Sequence, residues 1–156
     1  MISFTVAGVA RTAGSKRAFA LRRRDGSLVL RQNGSPVVNV TDDNPKSKDW
    51  KALMAWTARS TVGAGFVPLR GALEVEFTFI RARPAGHFRK NGELSKNGLA
   101  MLYPTTRPDA TKLLRAAEDS LTGVLWLDDS QIVTQRVLKR WGEAPGVRVT
   151  IKEATA

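Results

Sequence analysis

The chain predicts a fold of the α/β class in its α+β form: one small domain built from a mixed β-sheet and two main helices. Three observations carry that expectation. The 156 residues are 42% hydrophobic, which is enough for one compact core and too little for two. Several short stretches alternate apolar and polar residues with the period of a strand. Two longer stretches repeat their apolar residues at helical spacing. They lack the regular strand–helix alternation that a doubly wound sheet requires.

The elements follow in order. Ile2 to Val9 puts Ile2, Phe4 and Val6 on one side, a first strand. Residues 18–41 predict a strand meander, because Asp25-Gly26 and Asn33-Gly34 accept the positive φ of tight hairpin turns. Asn44 as cap and Pro45 at the first helical position open a helix. Its inward face would be Trp50, Leu53, Met54, Thr57 and Thr61, and Gly63 and Gly65 end it. Gly71 to Arg83 alternates, with Leu73, Val75, Phe77 and Phe79 inward and Glu74, Glu76 and Thr78 outward. Residues 84–106 have little periodicity and read as a long flexible loop, a kind of segment that is usually functional or disordered. A second helix runs from Asp109 to Leu121 on a stripe of Leu113, Leu114, Ala117 and Leu121. Val124 to Leu127 is a short buried link. Ile132 to Leu138 and Val147 to Ile151 are the last strands, with Pro145-Gly146 in the turn between them. No internal repeat is visible, and the single domain is taken as residues 1–156.

Composition narrows the function. There are 25 Lys and Arg against 14 Asp and Glu, a net charge of +11, and a surplus of that size points to a polyanionic partner, most often nucleic acid. The absence of cysteine excludes disulfides and thiolate metal sites and fits a reducing cytosol. The opening MISFTVAGVARTAGSKR is too short and too alternating for a signal peptide, and its positive charges follow the apolar part. No long uncharged apolar run predicts a membrane span. The single histidine, His87, leaves no His-rich metal site, and a serine–histidine triad would have to rest on it alone.

Against this basic background, five of the 14 acidic residues fall between Arg107 and Val133: Asp109, Glu118, Asp119, Asp128 and Asp129. Asp109 at a helix start has a plain role as N-cap. Asp119 lies about 15 Å further up the same helix, too far to share an ion with Asp109, and fits a structural partner of a nearby base. Asp128-Asp129 fits a solvated turn. The alternative is that the helix-start aspartate and the aspartate pair converge in space. Their repulsion would then call for a hard cation such as Mg²⁺, which takes a few carboxylates with water and phosphate oxygens. Such an ion would polarise a phosphodiester and activate water, while the basic surroundings held the DNA backbone. The pattern alone leaves both readings open.

The order of the motifs adds to this. Arg107-Pro108-Asp109, then Asp119 and Leu121, then Asp128-Asp129-Ser130-Gln131-Ile132 resemble the RusA-like family of Holliday junction resolvases, phage and prophage members included. Looser agreement covers nearly the whole chain. It takes in Phe4, Val6 and Gly8 followed by Lys16 and Arg17, then Trp50, then Gly71, Leu73 and Val75, and finally Lys139 ahead of Pro145-Gly146. The resemblance implies a RusA-like fold and a Mg²⁺-dependent endonuclease, with Mn²⁺ able to substitute. It implies a homodimer that resolves four-way or other branched DNA by paired nicks, in recombination and repair, in the cytoplasm of a bacterial or phage-infected cell. It also implies that Asp109 and Asp129 are metal-binding catalytic carboxylates and that the adjacent Asp128 shares the role.

Two departures bear on catalysis. The family's second aspartate falls on Thr111 and its catalytic lysine on Arg115, while the asparagine that often follows the second aspartate is Lys112. A neutral threonine hydroxyl is a poor metal ligand. Arginine keeps the charge as a planar fork that clamps phosphate but does not readily give up a proton. Thr111 and Arg115 are therefore candidate catalytic positions with altered chemistry, and the alternative function is a weakened or inactive relative that still binds branched DNA. A basic RNA-binding module is a third reading. Candidate DNA contacts are Lys16, Arg17, Arg22, Arg23 and Arg24 at a hairpin tip, Lys112 and Arg115, with Arg89, Lys90 and Lys96 in the long loop. His87 reads as a loop residue, Trp50 and Trp126 as core, and Trp141 as exposed.

Overall fold

The chain forms strands β1 (Ile2–Ala7), β2 (Lys16–Ala20) and β3 (Val38–Asp42), then helix α1 (Pro45–Val62) and strand β4 (Leu73–Ala82). A short helix α2 (Lys96–Ala100), helix α3 (Ala110–Leu121) and strands β5 (Ile132–Gly142) and β6 (Gly146–Glu153) complete it. The computed structural model describes residues 1–13, 16–42 and 45–155. Asn44, the expected cap of α1, lies outside the described residues. Among the described residues no helix is long and apolar enough to cross a membrane.

The main sheet has the order β1-β6-β4-β5. β6 is antiparallel to both β1 and β4, and β4 and β5 are parallel, which makes it the mixed sheet the sequence predicts. Register aligns its apolar rows. Phe77 pairs with Val149 and Phe79 with Val147, while Phe4 and Val6 meet the same two valines from the other side. All six are buried on one face. The opposite face carries Ser3, Glu76, Arg148 and Lys152, so the domain has two layers, with both main helices on the apolar side. α3 lies close on the sheet because Ala116 and Ala117 stand beside Leu113 and Leu121 on its buried face.

The buried stripe of α1 differs from the predicted one. It runs through Ser47, Trp50, Met54 and Ala58. Leu53 is exposed, because it stands about 100° around the helix from Met54. Thr57 and Thr61 donate to the carbonyls one turn back, Leu53 O and Thr57 O, each at 2.9 Å, and so satisfy their hydroxyls without burial. In α3, Leu114 sits at the edge of the stripe and Ser120 takes an inward position, its hydroxyl donating to Ala117 O at 2.6 Å.

Residues 84–106, which lacked periodicity in the sequence, contain a 3-10 turn at Ala85–His87, a bridge between Phe88 and Leu94, and α2. Arg83 ties them down by donating to Gly98 O (2.7 Å) and Met101 O (3.3 Å). A Cβ on Gly98 would lie 2.2 Å from His87 O, so glycine is what lets α2 close on the turn. His87 is buried, with its ring edge-on to Trp141. Trp141 is not the exposed tryptophan the sequence suggested. It packs under Arg81 and Arg83 and donates to Met101 O at 2.9 Å, whereas Trp56 is the tryptophan left 65% exposed.

A repeat hidden in the sequence also emerges. Arg23–Ser27, Arg31–Ser35 and Arg89–Glu93 are three copies of one turn. In each, the first residue's N–H donates to the fifth residue's carbonyl (2.8, 2.8 and 2.7 Å) and the glycine N–H donates back to the first (3.0, 2.9 and 3.0 Å). Asp25, Asn33 and Asn91 each accept the fifth residue's N–H on the side chain, and Gly26, Gly34 and Gly92 have φ of 84°, 79° and 85°. Sequence identity over five residues was too thin to reveal it, since only the arginine and the glycine recur in all three.

Candidate metal and nucleic-acid site

The acidic motifs fall into two groups, one at each end of α3. At the start, Asp109 is the N-cap, its Oδ1 accepting the Lys112 N–H at 2.8 Å. The segment that delivers it, 106–108, is fixed by two cations from the sheet. Lys139 Nζ donates to Thr106 O and Pro108 O, both at 2.9 Å, and Arg81 donates to Arg107 O (2.8 Å), Thr106 Oγ1 (3.1 Å) and Thr106 O (3.3 Å). Burial and the neighbouring Arg81 hold the Lys139 ammonium below the usual lysine range, against the pull of Asp109. Beside Asp109 opens a groove of about 530 Å³ lined by Arg11, Arg107 and Lys112.

At the far end, Asp129 Oδ1 accepts the Trp126 indole N–H (2.9 Å) and the Thr122 hydroxyl. The carboxylate is exposed and oriented by neutral donors, with no cation in ion-pair contact among the described residues. Glu118 lies next to it, half-buried and bonded to the Gln135 amide. Burial pushes the Glu118 carboxyl up, the Gln135 bond opposes this, and the charges of Asp129 and Asp119 add to the rise. Asp119 is engaged elsewhere, in an ion pair with Lys51 of α1 at 2.8 Å.

The Asp128–Gln131 motif has a structural explanation of its own. Asp128 caps the 3-10 turn Asp129–Gln131, accepting the Ser130 N–H at 2.9 Å, and the Ser130 contacts hold its carboxyl below the usual range. Gln131 Oε1 accepts the N–H of Leu127 (2.8 Å) and Asp128 (3.0 Å), while its Nε2 donates to Leu69 O (2.9 Å) and Gly71 O (3.0 Å). Gln131 thus pins the turn that presents Asp129 onto the entry to β4.

With 12 residues, α3 is about 18 Å long. Asp109 and Asp129 therefore do not meet within one chain, contrary to the convergence considered from the sequence. The distance that set Asp119 apart from Asp109 sets Asp129 apart as well. Among the described residues no group of three His, Cys, Asp or Glu is placed to hold a metal ion. Between the two ends, Thr111, Lys112 and Arg115 are exposed along α3. Lys16 and Arg17 lie in β2, and their side chains lie outside the described residues. Arg22 bonds Gly26 O at 2.7 Å, while Arg23 and Arg24 are exposed with no carboxylate in ion-pair contact among the described residues.

The family model described as "Endodeoxyribonuclease RusA" matches residues 29–152. The chain belongs to the RusA family. An uncharacterized protein, YqaN, of Bacillus subtilis (strain 168) is 28% identical over 155 residues, covering 99% of this chain and 98% of that protein. Membership places the chain in a family of DNA endonucleases, with the RusA-like fold expected from the sequence.

Some residues of this RusA-family site were not singled out from sequence. The sequence assigns no role to Arg81, Glu118 or Gln135, and Lys139 stands out in it only by its position ahead of Pro145-Gly146. Arg81 and Lys139 carried a signal, since each interrupts the end of a strand on its apolar side, where charge needs a reason. Gln135 carried none.

Proposed function

We propose that the chain is a Mg²⁺-dependent endodeoxyribonuclease, able to use Mn²⁺, that acts as a homodimer on four-way or other branched DNA and cuts by paired nicks. The observation that carries this is Asp129: an exposed carboxylate in the family motif, held in one orientation by Thr122 and Trp126, with no cation in ion-pair contact among the described residues. Asp109 is the second metal-binding carboxylate and Asp128 the adjacent one. A bound divalent ion would supply Lewis-acid polarisation of the phosphodiester and an activated water.

The two-ended layout supports a site shared between copies, with Asp109 of one chain facing Asp129 of another. Lys16, Arg17, Arg22, Arg23, Arg24, Lys112 and Arg115 are the proposed DNA contacts, with Arg115 clamping phosphate. The proposed setting is the cytoplasm of a bacterial or phage-infected cell, in recombination or repair.

A synthetic four-way junction, incubated with and without Mg²⁺ or Mn²⁺ beside a linear duplex, tests the reading. Metal-dependent symmetric nicking confined to the junction is expected, and equal cutting of the duplex would sink it. Thr111 favours a second reading, because a neutral hydroxyl stands in the first turn where a carboxylate is expected. In that case the chain binds junctions tightly and cuts them weakly or not at all.

A further inference from the structure

Beyond the main sheet the chain builds a forked arm. Its stem is β2 paired with β3, and the rest is two short hairpins bridged at Arg22–Leu28 and Leu30–Pro36. Where the three ladders meet, the backbone closes a cycle. Leu21 N–H donates to Val37 O (2.8 Å), Val37 N–H to Val29 O (2.8 Å) and Val29 N–H to Leu21 O (2.9 Å). Each prong ends in the same five-residue turn, so each presents its arginines from a preordered backbone.

The chemistry of the tips is uniform. Arg23 and Arg24 on one prong and Arg31 on the other are exposed, and among the described residues no carboxylate lies within ion-pair distance of them. Asp25, the one acid of the two tips, is taken up by its turn, with Oδ1 accepting the Ser27 N–H at 2.9 Å and the Ser27 hydroxyl at 2.6 Å. Asn33 does the same work on the second prong without a charge, at 3.1 and 2.6 Å. Neither turn carries an apolar or aromatic side chain. On the way to the arm, Ala13 N–H donates to Lys112 O at 3.2 Å, which brings the approach to its root against the first turn of α3, beside the Asp109 groove.

We infer that the forked arm is a two-pronged grip on the DNA sugar–phosphate backbone, holding duplex that leads to the Asp109 groove. The inference rests on the DNA-directed function proposed above. Guanidinium forks match phosphate oxygens, and a turn already ordered gives up little freedom on binding. The two turns carry no apolar side chain to wedge between bases, and the exposed Leu30, Phe19 and Val38 lie outside them on the arm, so the tips read backbone and not the branch point. Their contribution is therefore the same on a linear duplex as on a junction.

Fluorescence anisotropy over a salt series, with a four-way junction and a linear duplex, tests this. The combined Arg23→Gln, Arg24→Gln, Arg31→Gln variant should flatten the slope of log affinity against log salt by about 2 to 3, since each lost phosphate contact removes about 0.9. Affinity should fall about 10- to 100-fold at low salt, equally on both substrates. The matching Arg→Lys variant keeps the charge and should keep the slope, and Asp25→Asn, which preserves the turn acceptor, should tighten binding. An unchanged slope in the glutamine variant overturns the grip, as does a lysine variant that loses slope equally. A loss confined to the junction overturns the duplex assignment. A wild-type chain that binds neither DNA overturns the proposed function along with the arm's role.

Discussion

Asp109 caps the first turn of α3, and Asp129 is bonded to Thr122, the residue that ends the same helix. Two carboxylates expected to share an ion thus stand at opposite ends of a helix about 18 Å long. If the working site combines Asp109 of one copy with Asp129 of another, Asp109→Asn and Asp129→Asn should each lower cleavage on the order of 100-fold or more, because a lost metal contact removes several kcal/mol. Mixing the two variants should restore activity. Every mixed dimer keeps one intact site and should give single nicks in place of paired cuts. A mixture as inactive as its components would show the site lies within one chain.

Asp109 caps α3 and is the proposed metal-binding carboxylate, and substitutions separate the two roles. Asparagine caps a helix as well as aspartate, whereas alanine costs about 1 kcal/mol, or about 2–4 °C of Tm at this chain length. Asp109→Asn should therefore match the wild type in thermal unfolding, and Asp109→Ala should unfold earlier, with both inactive. Cleavage by Asp109→Asn at wild-type rate would remove Asp109 from the metal site and leave it a cap.

Thr111 and Arg115 are exposed, so changing them tests chemistry without disturbing the core. Thr111→Asp combined with Arg115→Lys should raise metal-dependent junction cleavage about tenfold or more, the equivalent of some 1.4 kcal/mol of barrier. The new aspartate, in the first turn, should also add about 0.3–1 kcal/mol of stability through the helix dipole. A more stable variant with unchanged cleavage would mean that these two positions do not limit catalysis.

What the sequence made legible followed from periodicity and from residues with a single reading. The alternation of Leu73, Val75, Phe77 and Phe79 gave β4 its inward face, and the Asp25-Gly26 and Asn33-Gly34 pairs located both prongs of the arm. Residues with two readings were harder. Leu53 is apolar and near the stripe, yet it falls off the line set by Trp50 and Met54. Trp141 looks exposed among Lys139, Arg140 and Glu143, and charges from elsewhere in the chain, Arg81 and Arg83, are what cover it. The separation of Asp109 from Asp129 was hidden for a geometric reason. Asp109 and Asp129 are linked in sequence by a helix whose length keeps them apart, and a motif read along the chain does not record direction in space.

Lys139 links the sheet to the site through carbonyls alone. Its ammonium serves Thr106 O and Pro108 O, the two carbonyls that lead into Asp109. Lys139→Met should lose about 2 kcal/mol, given about 1.5–3 for a hydrogen bond to a charged group, and lower Tm by about 4–8 °C. It should also raise the Mg²⁺ concentration needed for half-maximal cleavage, because the segment that aims Asp109 loosens. Lys139→Arg, which keeps the charge and donors, should recover part of both. A fall in Tm with an unchanged metal requirement would confine Lys139 to stability.

Glu118 supplies the pH-dependent case. Its carboxyl is raised above the ordinary glutamate value of 4.5 by burial first, against the Gln135 bond, and then by Asp129 and Asp119. A carboxyl raised in the folded state contributes stability that is fully present below the unfolded value and lost as pH climbs through the folded one. At neutral pH the ionised Glu118 is therefore a cost, which Glu118→Gln should remove while keeping an oxygen for the Gln135 amide. The variant should unfold at a higher temperature than the wild type at pH 7 to 8, and the gap should close as pH falls to about 4.5 and below. Thermal melts across that range check the sign. A variant less stable at pH 7 to 8 would mean that the Gln135 contact to a full carboxylate outweighs the burial and the repulsion from Asp129, and that this end of α3 tolerates its negative charge without a cation.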